Sequence, residues 1–403
     1  MTTRPQPGAQ SSAGNRATAW LILAVLLLFS IAAPLNQFKV PPIMPVLMDA
    51  LGLSVGGAGL LMSVFAVTGL LLALPSGLIL QRIGPRLTGI LAGGSIVAGA
   101  LLGALSTSAG GLLASRVIEG VGTSFMAVLA PAIIAHWFVA RQRGTAMGIW
   151  AAWVPIGTAA MLLAAPPLAQ AAGWRSVWWL GAGYALLVTI LYLVFVKPAP
   201  VRTSEPASSE PVPAVTSAQI LRSRNIWLLA AAFGAFNAAT VGLGTYLPTF
   251  LNSQRGLSLP QAALVSSITT LIVIVSAPAG GVLSDRIGSR KKPYLVGLAV
   301  QIVLLPLVGS LGLTWLIVLV AFNGLVVGMI PTNIFAAAVE AAGDERRGGL
   351  AMAVIMVGQN AGMLLGPAIF GALADGPGWP VAFVSLAVMS ALGLLAGWLA
   401  KVR

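Results

Sequence analysis

The chain contains no cysteine, one histidine and nine acidic residues in 403 positions. Without cysteine there is no disulfide, no thiolate metal site and no thiol nucleophile. With so few acids and one histidine, no pair of carboxylates and no serine–histidine set can be placed in one accessible pocket. The sequence therefore reads as a non-enzyme, with no cofactor and no metal. Charge of both signs is scarce: 8% of residues are charged, where a soluble domain carries roughly 25% to cover its surface. What fills the chain is apolar, 58% of all positions, so its solvent is largely lipid. The formal net charge of +13 sits in short clusters between apolar runs. That is how loops facing anionic lipid are built, and it excludes nucleic acid as a partner.

Residues 1–17 are polar and rich in Pro, Gly and Ser, which predicts a disordered N-terminus. Apolar runs follow at 18–46, 54–80, 87–106, 110–137, 145–168 and 176–196. A second set covers 226–251, 260–284, 293–312, 315–340, 349–371 and 381–400. Each is near the roughly 20 residues needed to cross a ~30 Å hydrocarbon core. Between the sets, 197–225 is rich in Pro and Ser and reads as a flexible linker. The expected architecture is an all-α membrane protein of twelve transmembrane helices. It divides into an N-terminal six-helix bundle (18–196) and a C-terminal one (226–403). Arg82, Arg86, Arg141, Arg143, Arg286, Arg290, Lys291, Lys292, Arg346, Arg347 and Lys401 fall on one side, with Arg4, Arg16 and the linker. The positive-inside rule places that side, and both termini, in the cytoplasm of a bacterial inner-membrane protein.

The two sets repeat each other. A shift of 204 residues lays Gly52-Leu53-Ser54 on Gly256-Leu257-Ser258, Arg82-Ile83-Gly84 on Arg286-Ile287-Gly288, and Arg143-Gly144 on Arg347-Gly348. Gly173-Trp174 meets Gly378-Trp379 one residue later. An offset spanning an even number of helices gives two halves of the same topology, related by an axis along the membrane normal.

Two loops carry a motif. Gly77-Leu-Ile-Leu-Gln81-Arg82-Ile-Gly84-Pro-Arg86 joins the second and third spans, and Gly281-Val-Leu-Ser-Asp285-Arg286-Ile-Gly288-Ser-Arg290 joins the eighth and ninth. The second resembles the G-x-L-x-D-R-x-G-R loop of the major facilitator superfamily. In the fourth span, Arg116-Val-Ile-Glu119-Gly120-Val-Gly122 resembles that superfamily's R-x-x-[QE]-G-x-G motif. The resemblance covers about residues 18–400. It implies a monomeric secondary transporter working by alternating access, with the loop residues acting as a cytoplasmic gate. Asp285 is then expected to accept bonds from helix N-termini or from Arg346 and Arg347, while Gln81 cannot form the corresponding ion pair. The first span and Gly148-Ile-Trp-Ala-Ala are similar to the cyanate permease and nitroimidazole-exporter-like branch. The fifth-span G-x-x-x-G-P of antiporters is absent.

The substrate is expected to be a small solute, an organic or inorganic anion, with drug efflux by proton antiport or a non-transporting sensor as rival readings. Lys39 is the most informative residue, in Asn36-Gln37-Phe-Lys39-Val-Pro41-Pro42. Its ammonium either holds a small anion beside Asn36 and Gln37 or snorkels to the outer interface. Arg116 and Glu119, three apart, share a helix face; they either fix helix packing or couple transport to protons. Trp150, Trp153, Asn237, Tyr246, Asn333, Gln359 and Asn360 complete the expected substrate-binding set.

Overall fold

The computed structural model describes residues 8–73, 75–138, 140–196, 221–342 and 345–402; most of the expected linker and the first seven residues lie outside them. Every regular element among the described residues is helical. Among the described residues, eleven helices are long and apolar enough to cross a membrane: Ala17–Leu51, Val55–Leu72, Pro75–Leu105, Ala109–Trp137, Gln142–Ala172, Arg175–Phe195, Arg224–Arg255, Leu259–Ile287, Leu313–Ala342, Gly349–Asp375 and Trp379–Leu399. The ninth expected span is Lys291–Leu307, 17 residues long, about 25 Å at 1.5 Å per residue. The spans are numbered first to twelfth below in chain order. The first helix begins at Gly8, ten residues ahead of the expected start. Large apolar side chains face outward where a soluble protein would be polar: Val275 is 71% exposed and Trp315 and Leu105 are each 68% exposed.

The sequence repeat has a backbone cause. Among the described residues, those with positive φ are all glycine: Gly52, Gly84, Gly173, Gly256, Gly288 and Gly378. They form matched pairs in the two halves. Gly52 (φ 62°) and Gly256 (φ 69°) end the first and seventh spans in the left-handed region, which a Cβ disfavours. Ser54 and Ser258 then cap the helices that follow, so Gly-Leu-Ser is a stop and a start in three residues. Gly84 (φ 77°, ψ 169°) breaks the run from Pro75 to Leu105, so the second span ends there and the third begins at Pro85.

Among the described residues, the apolar core that the two halves share lies toward one end. One apolar core joins Ile43, Met44 and Leu47 of the first span with Tyr246, Phe250 and Leu251 of the seventh and Phe370 of the eleventh. Two further cores belong to single halves, one around Leu26, Phe125 and Tyr192, the other around Phe233, Tyr294 and Ile334. Those two lie toward the end that carries the basic loops. Among the described residues, the bundles therefore share their apolar packing at the far end and keep separate cores toward the basic end. The main seams are the second span against the eleventh, and the fifth against the eighth. Gly56, Gly59 and Gly69 face Gly371, Pro367 and Asn360 in antiparallel order, small residues allowing close helix approach.

Candidate functional site

The first span breaks where Pro34, Pro41 and Pro42 crowd it: its helix ends at Gln37, a turn carries Lys39, and a 3-10 turn resumes at Pro41. A helix would satisfy the Gln37 carbonyl with the N–H of residue 41, but proline has none. Arg116 of the fourth span supplies the missing donors. Its Nη1 donates to the Asn36 carbonyl at 2.7 Å, its Nη2 to the Gln37 carbonyl at 2.6 Å, and its Nε to the Leu61 carbonyl of the second span at 3.0 Å. Arg116 is thus a C-terminal helix cap delivered from a neighbouring helix, with a cation at the negative end of the dipole. Its guanidinium also stacks over Phe65, 4.6 Å from the ring centroid.

Glu119, one turn along, binds Arg116 with one carboxylate oxygen and Lys39 Nζ with the other, the latter at 2.5 Å. Lys39 also donates to Asn36 Oδ1 at 3.1 Å and lies over the Trp178 ring at 4.6 Å. Asn36 in turn donates to the Ala32 and Gly181 carbonyls. All three charged side chains are 0% exposed. Gly99 of the third span leaves the room: a Cβ there would lie 2.6 Å from Glu119 Cγ. With every member ionised, the triad holds two cations and one anion inside the first bundle. Lys39 accordingly neither reaches the outer interface nor presents a free ammonium; its partner is Glu119, which the sequence offered only as a partner for Arg116.

The other expected site residues do not converge on this triad. Trp150 donates to Ser30 Oγ at 2.9 Å and stacks on Trp153, centroids 5.4 Å apart. Asn237, Asn333 and Asn360 each donate to a carbonyl one turn back in their own helices, and Gln359 reaches Met363 Sδ at 3.8 Å. Asn360 fills the space beside Gly69 at the seam between halves. Tyr246 is buried at the far end, donating to the Pro367 carbonyl at 2.9 Å.

In the basic loops the two copies differ. Asp285 pairs with Arg290, whose Nε reaches Glu340 Oε1 at 2.9 Å and whose Nη1 donates to Ser284 Oγ at 2.7 Å. The bonds to Glu340 and then Asp285 hold the Arg290 guanidinium pKa above its ordinary value. The expected partners Arg346 and Arg347 have side chains outside the described set, and Glu340 was not foreseen. The repeat offset sets His136 opposite Glu340 and Gln81 opposite Asp285, so the first copy lacks both acids. Among the described residues Arg82 and Arg86 have no hydrogen-bond partner, both being exposed. Gly77 and Gly281 lie on the helices leading into these loops, Gly84 breaks the first, Gly288 caps the second, and Arg286 is exposed in its last turn.

Among proteins of known identity, the chain is 26% identical over 287 residues to the probable sulfoacetate transporter SauU of Cupriavidus necator, covering 68% of this chain and 66% of that one. It is 26% identical over 289 residues to the hexuronate transporter of Bacillus subtilis, covering 70% and 67%. To the chloramphenicol resistance protein of Streptomyces lividans it is 27% identical over 270 residues, covering 66% of each. Each alignment spans about two thirds of the relative's length. A bacterial homologue of the human lysosomal transporter Spinster, solved in an inward-facing and unoccupied conformation, superposes with a TM-score of 0.80 at 18% identity, over 94% of this chain and 97% of that one. A model of the Major Facilitator Superfamily matches residues 21–348 and 251–403. Two six-helix halves, glycine-marked loops in register and these matches lead to one conclusion: the chain is a multi-pass membrane protein of the Major Facilitator Superfamily.

Proposed function

We propose that this transporter carries a small organic or inorganic anion across a bacterial inner membrane, with both termini in the cytoplasm. The observation that supports this most is the surplus positive charge of the Lys39–Glu119–Arg116 triad. Arg116 is committed to holding the broken first span, and Glu119 is shared. Lys39 is the member that no backbone group needs, so a substrate carboxylate, sulfonate or similar group can take Glu119's place beside it when the bundles rearrange. The relatives named for sulfoacetate and hexuronate transport agree with an anion. With apolar packing shared at the far end and separate cores toward the basic end, the conformation is inward-facing under this orientation. Glu119, relieved of Lys39, becomes the group that takes up a proton, which couples transport to the proton gradient.

A second reading, efflux of an uncharged drug-like compound, is favoured by the closed triad and by the stacked Trp150–Trp153 pair, and by the relative named for chloramphenicol resistance. Purified protein in liposomes separates the two. Uptake of labelled sulfoacetate, small carboxylates or nitrate that is lost in Lys39→Met, with the same variant still inserted and monodisperse, supports the anion reading. Uptake unchanged in Lys39→Met, or transport confined to uncharged drugs, overturns it. Glu119→Gln that keeps exchange but loses gradient-driven accumulation supports coupling at Glu119; full accumulation removes it.

A further inference from the structure

The second span starts at Val55, and its first turn exposes backbone N–H groups that its own helix cannot use. Ser54 takes one of them, its Oγ accepting from the Gly57 amide at 3.1 Å. The other two are taken from across the seam. Asp375, the last residue of the eleventh span, accepts from the Val55 amide at 2.9 Å through Oδ1 and from the Gly56 amide at 2.8 Å through Oδ2. A carboxylate at a helix N-terminus is also favoured by the dipole. Glycine at 56 permits the approach, because a Cβ there would lie 2.8 Å from Asp375 Oδ2 and 3.3 Å from the Gly371 backbone. One turn deeper, the Tyr246 hydroxyl lies between Gly59 and Gly371, where any Cβ would overlap it.

The equivalent helix start in the second half is built differently. The eighth span begins after Ser258, and Ser258 with Gln261 closes a reciprocal capping box within the same turn. That end keeps its caps when the fifth and eighth spans part. The second span cannot part from the eleventh without stripping two amides of their acceptor.

We propose that Asp375 is the far-end clasp of this transporter: a helix cap supplied by the opposite half, which must let go before that end opens and which biases the protein toward the conformation described here. The clasp does not depend on what is carried. Because the native chain has no cysteine, Asp49→Cys and Ser253→Cys, which line one crevice from opposite halves, can be spin-labelled without background. Distance distributions between the labels, measured in lipid nanodiscs, read the far end directly. The background pair is expected to give a short distance. Asp375→Asn keeps one acceptor oxygen but loses the charge and one bond, and should raise the long-distance population about tenfold, equivalent to ~1.4 kcal/mol. Gly56→Ala, which pushes the carboxylate away, should do the same. Ser258→Ala, which removes a cap of the self-contained kind, should leave the distribution unchanged. Unaltered distances in both Asp375→Asn and Gly56→Ala, or equal opening in all three variants, would overturn the clasp.

Discussion

Glu119→Gln is the most demanding test of the buried triad. The substitution is nearly isosteric but removes the only anion from a cluster whose three members are 0% exposed. It leaves Lys39 and Arg116 facing each other with no counter-charge. Removing one partner from a buried ion pair costs about 3–5 kcal/mol, and a single uncompensated charge deep in a span costs ~2.5–3.5 kcal/mol on insertion scales. Lys39→Met should be milder. It takes out the surplus cation and leaves Arg116 with Glu119 and its three carbonyls, so its cost is the lost bonds to Glu119 and Asn36, about 1–2 kcal/mol. The double variant Lys39→Met/Glu119→Gln then loses less than Glu119→Gln alone, because only Arg116 remains and the backbone still holds it. The measurement is a double-mutant cycle on reversible unfolding in mixed micelles, followed by tryptophan fluorescence. A Glu119→Gln cost under about 1 kcal/mol, against that expected penalty, would refute the charge argument. So would a double variant whose loss equals the sum of the two singles.

Two further substitutions probe the loops. Gly84 stands at φ 77°, ψ 169°, a region essentially restricted to glycine, so Gly84→Ala should cost about 1–3 kcal/mol, read as a lower unfolding midpoint, whereas Ala at the regular helical Gly94, where nothing lies within 4 Å, should not destabilise. Arg290→Ala breaks the ties to Asp285 and Glu340, whose side chains are 65% and 51% exposed. Exposed pairs contribute only ~0–1 kcal/mol and are screened by salt, so the loss should be small at low ionic strength and vanish at high salt; a loss that persists in high salt would mean the cluster acts through packing.

The helix count and the two halves were legible because lipid imposes its demands on composition, and the matched basic loops were legible because their glycines occupy backbone conformations that other residues avoid. Gly52, Gly84 and Gly173 found their partners by offset alone, and each proved to have positive φ. The site was less legible. Asn36, Lys39, Arg116 and Glu119 all stand out as polar residues in apolar runs, but the contact between Lys39 and Glu119 joins positions eighty residues apart, and helical spacing reveals only the local pair. Asp375 carries no signal in the sequence, since a cap donated by another helix leaves no pattern around the helix it caps. Glu340 could have been found by applying the same offset to His136, since the first half carries His136 and Gln81 where the second carries Glu340 and Asp285.

Arg116 holds the first span by its main chain, through the carbonyls of residues 36 and 37. A grip on carbonyl oxygens is indifferent to the side chains those residues carry. The break in the span can therefore stay where it is while positions 36 to 39 are exchanged for other groups, each arriving at the same place with the same support. A bundle built this way fixes the shape of the first span through one arginine, while the Asn36 and Lys39 side chains make their own separate contacts to Gly181, Glu119 and Trp178.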